Sequence, residues 1–300
     1  MKRVLILTRF RDEYEPQRLK EEALKLNFGV DVVNYTKIRV GQKNGQEIID
    51  LGTGKDMLEY DLIIPRASSA RGKVSSLGIK TKILKSLQNE KEVKVLNGES
   101  FERYPLLGKQ KQGASFKKKG LPAVDFRSFS ASKWGDFLNE EHQFPFIFKM
   151  HFGSHGKNVK LVENEAQLKK LSIKYQKGEV LIQPVLKVRR WFRVIVLGGK
   201  VLGIMKHRQK DKYQTEELKE ITRRITPSFT EDQITRLKDI CLAACEIFAC
   251  DYAGLDVAWD EDKKDWVIWE LNRTAQFKWF EKANPEINVA KEICLWGEKE

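Results

Sequence analysis

The sequence predicts a protein of mixed α/β and α+β class. Three patterns predict it. Short apolar runs alternate with helical patterns over residues 1–96, which argues a parallel α/β domain. Phe192 to Ile204 (FRVIVLGGKVLGI) is two β-rich runs joined at Gly198-Gly199, a hairpin signature. Asp251 to Phe280 holds two apolar runs around a very polar turn, Asp260 to Asp265, a hairpin with a longer loop.

In chain order, Val4 to Leu7 reads as a buried strand. Pro16 to Leu26 is a helix, with Leu19, Ala23 and Leu26 on one stripe and Pro at its start. Val30 to Tyr35 is a second strand, and Leu62 to Ile64 a third, ending in Pro65-Arg66-Ala67-Ser68-Ser69. Ile79 to Leu87 reads as helical and Val93 to Leu96 as a fourth strand. Ligands of parallel sheets sit beyond the carboxyl ends of the strands. Arg66 stands at such an end and is a candidate for binding an anion; a plain surface arginine is the other reading.

Residues 97–125 read as a linker and a helix that Gly120-Leu121-Pro122 ends. Phe144 to Met150 is an apolar strand carrying Lys149. It runs into His151-Phe152-Gly153-Ser154-His155-Gly156-Lys157-Asn158-Val159. Such a loop can turn backbone N–H groups toward phosphate oxygens, although it lacks the Walker pattern and a simple turn would read the same. A helix with Leu168 and Leu171 follows Asn164. Val180 to Val185 is a strand interrupted by Pro184, which suggests an edge or a hinge. Lys210 to Arg224 is charged, with little apolar face, and reads as a mobile loop or exposed helix. Thr230 and Gln233 form a capping box before the stripe Ile234, Leu237, Ile240, Cys241, Ala244 and Phe248. Ile287 to Trp296 closes as a short helix.

In the second hairpin, centring the turn near Lys263 sets Asp256 opposite Glu270, with Asn272 on the same face as Glu270. Like charges facing across strands destabilise a sheet unless something compensates. A hard divalent cation such as Mg²⁺ would do so. A solvated hairpin with incidental acids is the plainer reading, because a slip of one residue would turn the side chains away.

Lys and Arg outnumber Asp and Glu by 55 to 42, a net charge of +13. That favours anionic partners: nucleotides, acidic peptides or nucleic acid. No zinc finger, RRM signature or basic heptad region is present, so nucleic acid stays open without being favoured. Cys241, Cys245, Cys250 and Cys294 make no C-x-x-C pair and read as reduced core residues. No run suits a membrane span, and Val4 to Leu7 is too short for a signal-peptide core. The expected location is the cytoplasm.

The chain resembles the ATP-grasp superfamily, most closely the RimK-like branch of ribosomal-protein glutamate ligases and their relatives. The resemblance spans nearly the whole length. It rests on Ile64 to Ser69, Asn97 to Ser100, Lys109, and Lys149 with Gly153 to Val159. It also rests on Arg193, Asp251-x-Ala253-Gly254-Leu255-Asp256 and Glu270-Leu271-Asn272. The fold it implies is an ATP-grasp fold in three parts. These are an N-terminal domain over 1–96, a central subdomain over 97–186 with the glycine loop, and a C-terminal subdomain over 187–300 with the metal site. ATP would lie between the last two.

The resemblance also implies roles. Lys109 and Lys149 would contact the nucleotide, and Gly153, Ser154, His155, Gly156 and Lys157 would close over its phosphates. Gln183, Val185 and Leu186 would form the hinge that holds adenine. Asp256, Glu270 and Asn272 would hold two Mg²⁺ ions, and Arg193 and Arg208 would bind the γ-phosphate or the acyl intermediate. Arg66 and Ser68 are the substrate-binding candidates. The reaction implied is ATP-dependent joining of a carboxylate to an amine through an acylphosphate, on an acidic amino acid, peptide or protein tail. Two alternatives stand beside it: a macrocyclase of a ribosomal peptide, and a basic binding protein associated with nucleic acid or the ribosome. The oligomeric state is left open.

The chain departs from the family pattern after the hinge, where Lys187 to Trp191 carries no acid to hold a ribose; Glu179 is a candidate replacement. Lys210 to Arg224 replaces an Asn- and Gly-containing element of the family, and Asn158 replaces the second glycine of the nucleotide loop. Arg273-Thr274-Ala275-Gln276-Phe277 is similar to ATP-grasp ligases that cross-link ribosomally made peptides.

Overall fold

The computed structural model describes residues 1–43, 46–66, 93–150, 159–186, 188, 190–208, 221–222 and 229–298. The expected helix at Ile79 to Leu87 lies outside them. So do Ser68, the loop from Gly153 to Lys157, and Lys210 to Arg224 apart from Ile221 and Thr222.

The N-terminal sheet is built from β1 (Arg3–Thr8), β2 (Gly29–Asn34), β5 (Leu62–Pro65) and β6 (Lys94–Val95), in the order β2-β1-β5-β6. All its pairs are parallel. Parallel strands covered on both faces read as continuous apolar runs, and β1 shows why. Val4 and Ile6 enter one core with Leu19 and Ala23 of helix Tyr14–Lys25, while Leu5 and Leu7 enter another with Val33, Tyr35 and Tyr60. A separate hairpin, β3 (Arg39–Lys43) and β4 (Gln46–Asp50), is an element that periodicity did not reveal.

The middle sheet has the order β7-β10-β8-β9, from β7 (Arg127–Ser130), β8 (Phe146–Met150), β9 (Val159–Val162) and β10 (Glu179–Pro184). Alternation divides its residues. Phe146, Phe148 and Val180 pack with Trp134, Phe137 and Leu168 in a core of their own. Ile147, Lys149, Leu181 and Gln183 take the other face. The edge reading for Pro184 is corrected here, because β10 is internal, between β7 and β8. Proline is tolerated because it is the last residue of the strand, beyond the final pair with β7, Ile182 to Arg127.

The third sheet has the order β13-β12-β11-β14-β15, antiparallel throughout. Its strands are β11 (Arg190–Leu197), β12 (Lys200–Arg208), β13 (Ile221–Thr222), β14 (Tyr252–Asp260) and β15 (Asp265–Asn272). Gly198 and Gly199 turn the β11–β12 hairpin with φ of 56° and 70°, as a tight turn of this hand requires. At Ile221 and Thr222 the loop-or-helix expectation gives way to a strand that pairs with His207 and Lys206.

One face of this sheet packs on helix Glu231–Ile247 through Val194, Leu255 and Val257 against Leu237, Cys241 and Ala244. Thr230 and Gln233 cap that helix reciprocally, as expected. The other face buries Ile195, Leu197, Met205 and Tyr252 against the N-terminal sheet and helix Val289–Trp296. All four cysteines are buried and free. Among the described residues no helix is long and apolar enough to cross a membrane.

Candidate active site

Three neighbouring strands set three charged side chains in a row. Arg193 of β11 pairs with Asp256 of β14, and Asp256 pairs with Glu270 of β15. The pairing of Asp256 with Glu270 depends on a bulge. Near the turn the ladder runs Trp259 to Trp266 and Val257 to Ile268, then shifts before Asp256. Trp269 is the extra residue. An uninterrupted ladder would set Asp256 opposite Trp269, so the bulge aims Glu270 at the row.

Each carboxylate already has a cation, supplied by the chain itself. Arg193 donates two hydrogen bonds to Asp256, Nε to Oδ1 at 2.6 Å and Nη2 to Oδ2 at 3.1 Å. Lys109 is ion-paired with Glu270. Burial raises the Asp256 carboxyl above its ordinary value and Glu270 adds to this, with Arg193 opposing. Burial alone would lower Arg193, but Asp256 more than offsets it and the guanidinium stays charged. Two cations therefore balance two acids.

The neighbours explain how the row is held. Lys109 opens helix Lys109–Lys118. One turn on, Gln112 donates to the Leu271 carbonyl (3.0 Å) and accepts from the Leu271 N–H (2.8 Å). The amide thus acts as one more strand partner on the outer edge of β15, and it sets Lys109 beside Glu270. Asn97, buried with φ 61°, does similar work at the other end. Its side chain donates to the carbonyls of Tyr252 and Arg273 and accepts from the Tyr252 N–H, while its own N–H donates to Asp251. The start of β14 and the end of β15 are thereby tied together, and Asn272 faces Gly254 between them.

Gly254 is required by close approach. A Cβ there would lie 2.5 Å from the Ala275 Cβ and 3.1 Å from Arg193 Cδ. Gly254→Ala is expected to push Arg193 off Asp256 and to destabilise the fold by about 1–3 kcal/mol. Urea unfolding measures this, and wild-type stability would show that Ala275 yields freely.

Lys149 and Gln183 of the middle sheet line a narrow cavity with Lys109, Phe116, Phe126, Ile268 and Trp269. Burial pushes the Lys149 ammonium down to about 8, with Lys109 adding to the effect and Glu270 opposing. Val185 and Leu186 follow Gln183, half-buried, but do not line this cavity. Arg66 does reach the neighbourhood: it donates to the Ala275 carbonyl (3.0 Å), beside the Cβ that crowds Gly254, and lies over the Phe277 ring. On β12 the backbone partner of Arg193 is Met205, and Arg208 stands three residues further on, opposite Arg190. Glu179, the candidate for holding a ribose, stands at the far end of the strand from the hinge. It opens β10, four residues before Gln183, or about 13 Å away along the strand.

The sequence reading passed over Trp269 and Gln112, and it named Asn97 only within the family resemblance, with no role. A signal existed for the first: Trp266, Ile268 and Leu271 enter one core, and the step from alternate spacing to a gap of three needs one bulged residue. Among the described residues no group of three or more His, Cys, Asp or Glu side chains could hold a metal ion. Two carboxylates and an amide oxygen form a hard oxygen donor set that suits Mg²⁺ shared with phosphates. The residues present therefore fit that ion.

Comparisons agree with this architecture. The ATP-grasp ligase PsnB complexed with a minimal precursor is 18% identical, with a TM-score of 0.70 over 98% of this chain and 97% of that one. The macrocyclase MdnC of Microcystis aeruginosa MRC, bound with precursor peptide MdnA, is 15% identical, with a TM-score of 0.69 over 97% and 98%. A RimK domain ATP-grasp protein of Sphaerobacter thermophilus DSM 20745 is 15% identical, with a TM-score of 0.66 over 99% and 100%. At these identities the likeness is one of fold. No curated protein matches the chain. The family model for the RimK-like ATP-grasp domain matches residues 116–296, and the chain belongs to that family.

Proposed function

We propose that this protein is an ATP-dependent carboxylate–amine ligase whose acceptor is a peptide or protein segment of acidic character. The observation that carries the reading is the row Arg193, Asp256, Glu270 and Lys109, set beside Lys149 at a cavity between two sheets. Phosphoryl transfer needs positioning and charge neutralisation more than covalent help from the protein, and the row supplies both. Asp256, Glu270 and Asn272 would hold Mg²⁺, which supplies charge neutralisation at the phosphates when bound. Lys109 and Lys149 would hold the nucleotide, with Gln183 and Trp269 at its base. Arg193 offers a permanent bidentate charge to a phosphate or carboxylate.

In the reaction, a substrate carboxylate oxygen attacks the γ-phosphorus and ADP leaves. An amine nitrogen then attacks the acyl carbon, phosphate leaves, and the amine loses a proton to give the amide. Known relatives in fold are complexed with precursor peptides, which supports a peptide acceptor. The net charge of +13 and Arg66 beside the site support an acidic one. Four buried, reduced cysteines suit the cytoplasm.

The test is ADP release and product mass with ATP, Mg²⁺ and acidic or neutral peptides of equal length. Faster turnover of acidic peptides, with a gap that narrows as salt rises, is the expected result. Loss of one water from a single peptide would identify a macrocyclase. No ADP release with any peptide, together with tight RNA binding, would replace this reading by a binding protein.

Lys149 gives the site a pH dependence. Its protonated form is the one that attracts phosphate. Affinity for ATP is therefore expected to be full below pH 8 and to fall as pH rises through about 8. Lys149→Met should remove a charged contact worth about 1.5–3 kcal/mol and flatten that profile. Calorimetry on both sides of this pH decides; a wild-type profile shared by the variant would make the lysine structural.

A further inference from the structure

The segment that leaves the site does not end in the core. After Asn272, Arg66 holds the Ala275 carbonyl and Phe277 is buried, and then helix Lys278–Ala283 comes to the surface. There Trp279 is 49% exposed. Two ammonium groups stand over its ring, Lys282 at 4.6 Å and Lys278 at 5.7 Å from the centroid. Lys278 is also 5.8 Å from the ring of Tyr14, which opens the first helix of the N-terminal domain. The loop between β1 and that helix adds Phe10, 50% exposed, with the Arg9 guanidinium 5.4 Å above its ring. This loop lies at the carboxyl end of β1, as Arg66 lies at that of β5.

Two of the acids beside this surface face inward. Glu15 accepts from the N–H groups of Phe277 and Lys278, and Glu281 from Tyr14, Arg18 and the Ala290 N–H. Both are buried. Asp12 and Glu13 stay exposed on the loop. Exposed aromatic rings with their faces under cations are an amphipathic surface that suits carboxylates and rings together.

We propose that Phe10, Lys278, Trp279 and Lys282 form a docking surface for an acidic peptide segment that carries aromatic or aliphatic side chains. The segment is a part of the substrate distant from the reacting residue, led to the site past Arg66 and Ala275. The inference rests on the ligase reading for the identity of that peptide. Charge complementarity suits an acidic segment, and the short run from Ala275, held by Arg66 beside the site, to helix Lys278–Ala283 makes the substrate its source.

The test is binding without ATP, by anisotropy of a fluorescein-labelled peptide alternating Glu and Phe. The double variant Trp279→Ala/Lys282→Glu is expected to bind about ten-fold or more weakly, a loss of about 1.4 kcal/mol. Phe10→Ser should weaken binding independently of helix Lys278–Ala283. A peptide with Lys in place of Glu should not bind. ATP affinity and thermal midpoint should be unchanged, because none of these residues lines the nucleotide cavity or the core. Equal binding by wild type and both variants overturns the proposal, as does no binding by wild type. Tighter capture of an oligouridine, lost in the same variants, overturns it in favour of nucleic acid. Peptide binding without amide formation would refute the ligase reading and leave this surface standing.

Discussion

Glu270→Gln is expected to lower turnover by about 100-fold or more while the protein stays folded. Even outer-shell partners of a metal cost 10–100-fold when lost, and Glu270 is proposed as a direct ligand. The fold should survive because the Lys109–Glu270 pair is the more exposed of the two, with side chains 19% and 30% exposed. Gln keeps the shape and one oxygen acceptor, and Gln112 still holds Leu271. Mn²⁺ binding measured by spin resonance in the presence of ADP gives a readout apart from turnover. Turnover and ion affinity equal to wild type would remove Glu270 from the site.

Asp256→Asn is expected to behave differently, although the two acids face each other. Asp256 and Arg193 are 14% and 17% exposed. Taking away the carboxylate leaves a buried guanidinium without its countercharge, which costs about 3 kcal/mol. The variant should therefore lose stability as well as activity. Adding Arg193→Met should recover part of that loss, and a double-mutant cycle in urea isolates the coupling. Additive losses would mean that the ion pair contributes nothing and that the two residues merely lie close.

Much of this site was legible in the sequence because side-chain alternation and a polar turn constrain a hairpin strongly. That reading set Asp256 opposite Glu270, and they do pair. It failed where partners come from far along the chain. Lys109 meets Glu270 across 161 residues, and Arg193 meets Asp256 across 63. A strand pattern shows which face a residue takes, not which cation will stand over it. The bonds of Asn97 were hidden for the same reason: a buried asparagine after an apolar strand looks like a turn residue until its carbonyl partners are known. Pro184 shows a third limit. Proline bars one more ladder bond, but a strand that ends there can still lie inside a sheet. Two short strands, β7 and β9, escaped because four residues hold too little periodicity to stand out.

The core of the middle sheet has a thermodynamic consequence. Phe146, Phe148, Trp134, Phe137 and Leu168 belong to a cluster that shares no residue with the cores of the flanking sheets. A unit with its own core can open while the rest stays closed. Amides of β8 and β10 are therefore expected to exchange with deuterium through a cheaper opening than those of β11 and β14. A nucleotide between Lys149 and Glu270 would touch both units and bind only when they are apposed. It would act as a rivet as much as a reactant, drawing two exchange classes into one, and its departure as ADP would return the middle sheet to independent breathing between turnovers.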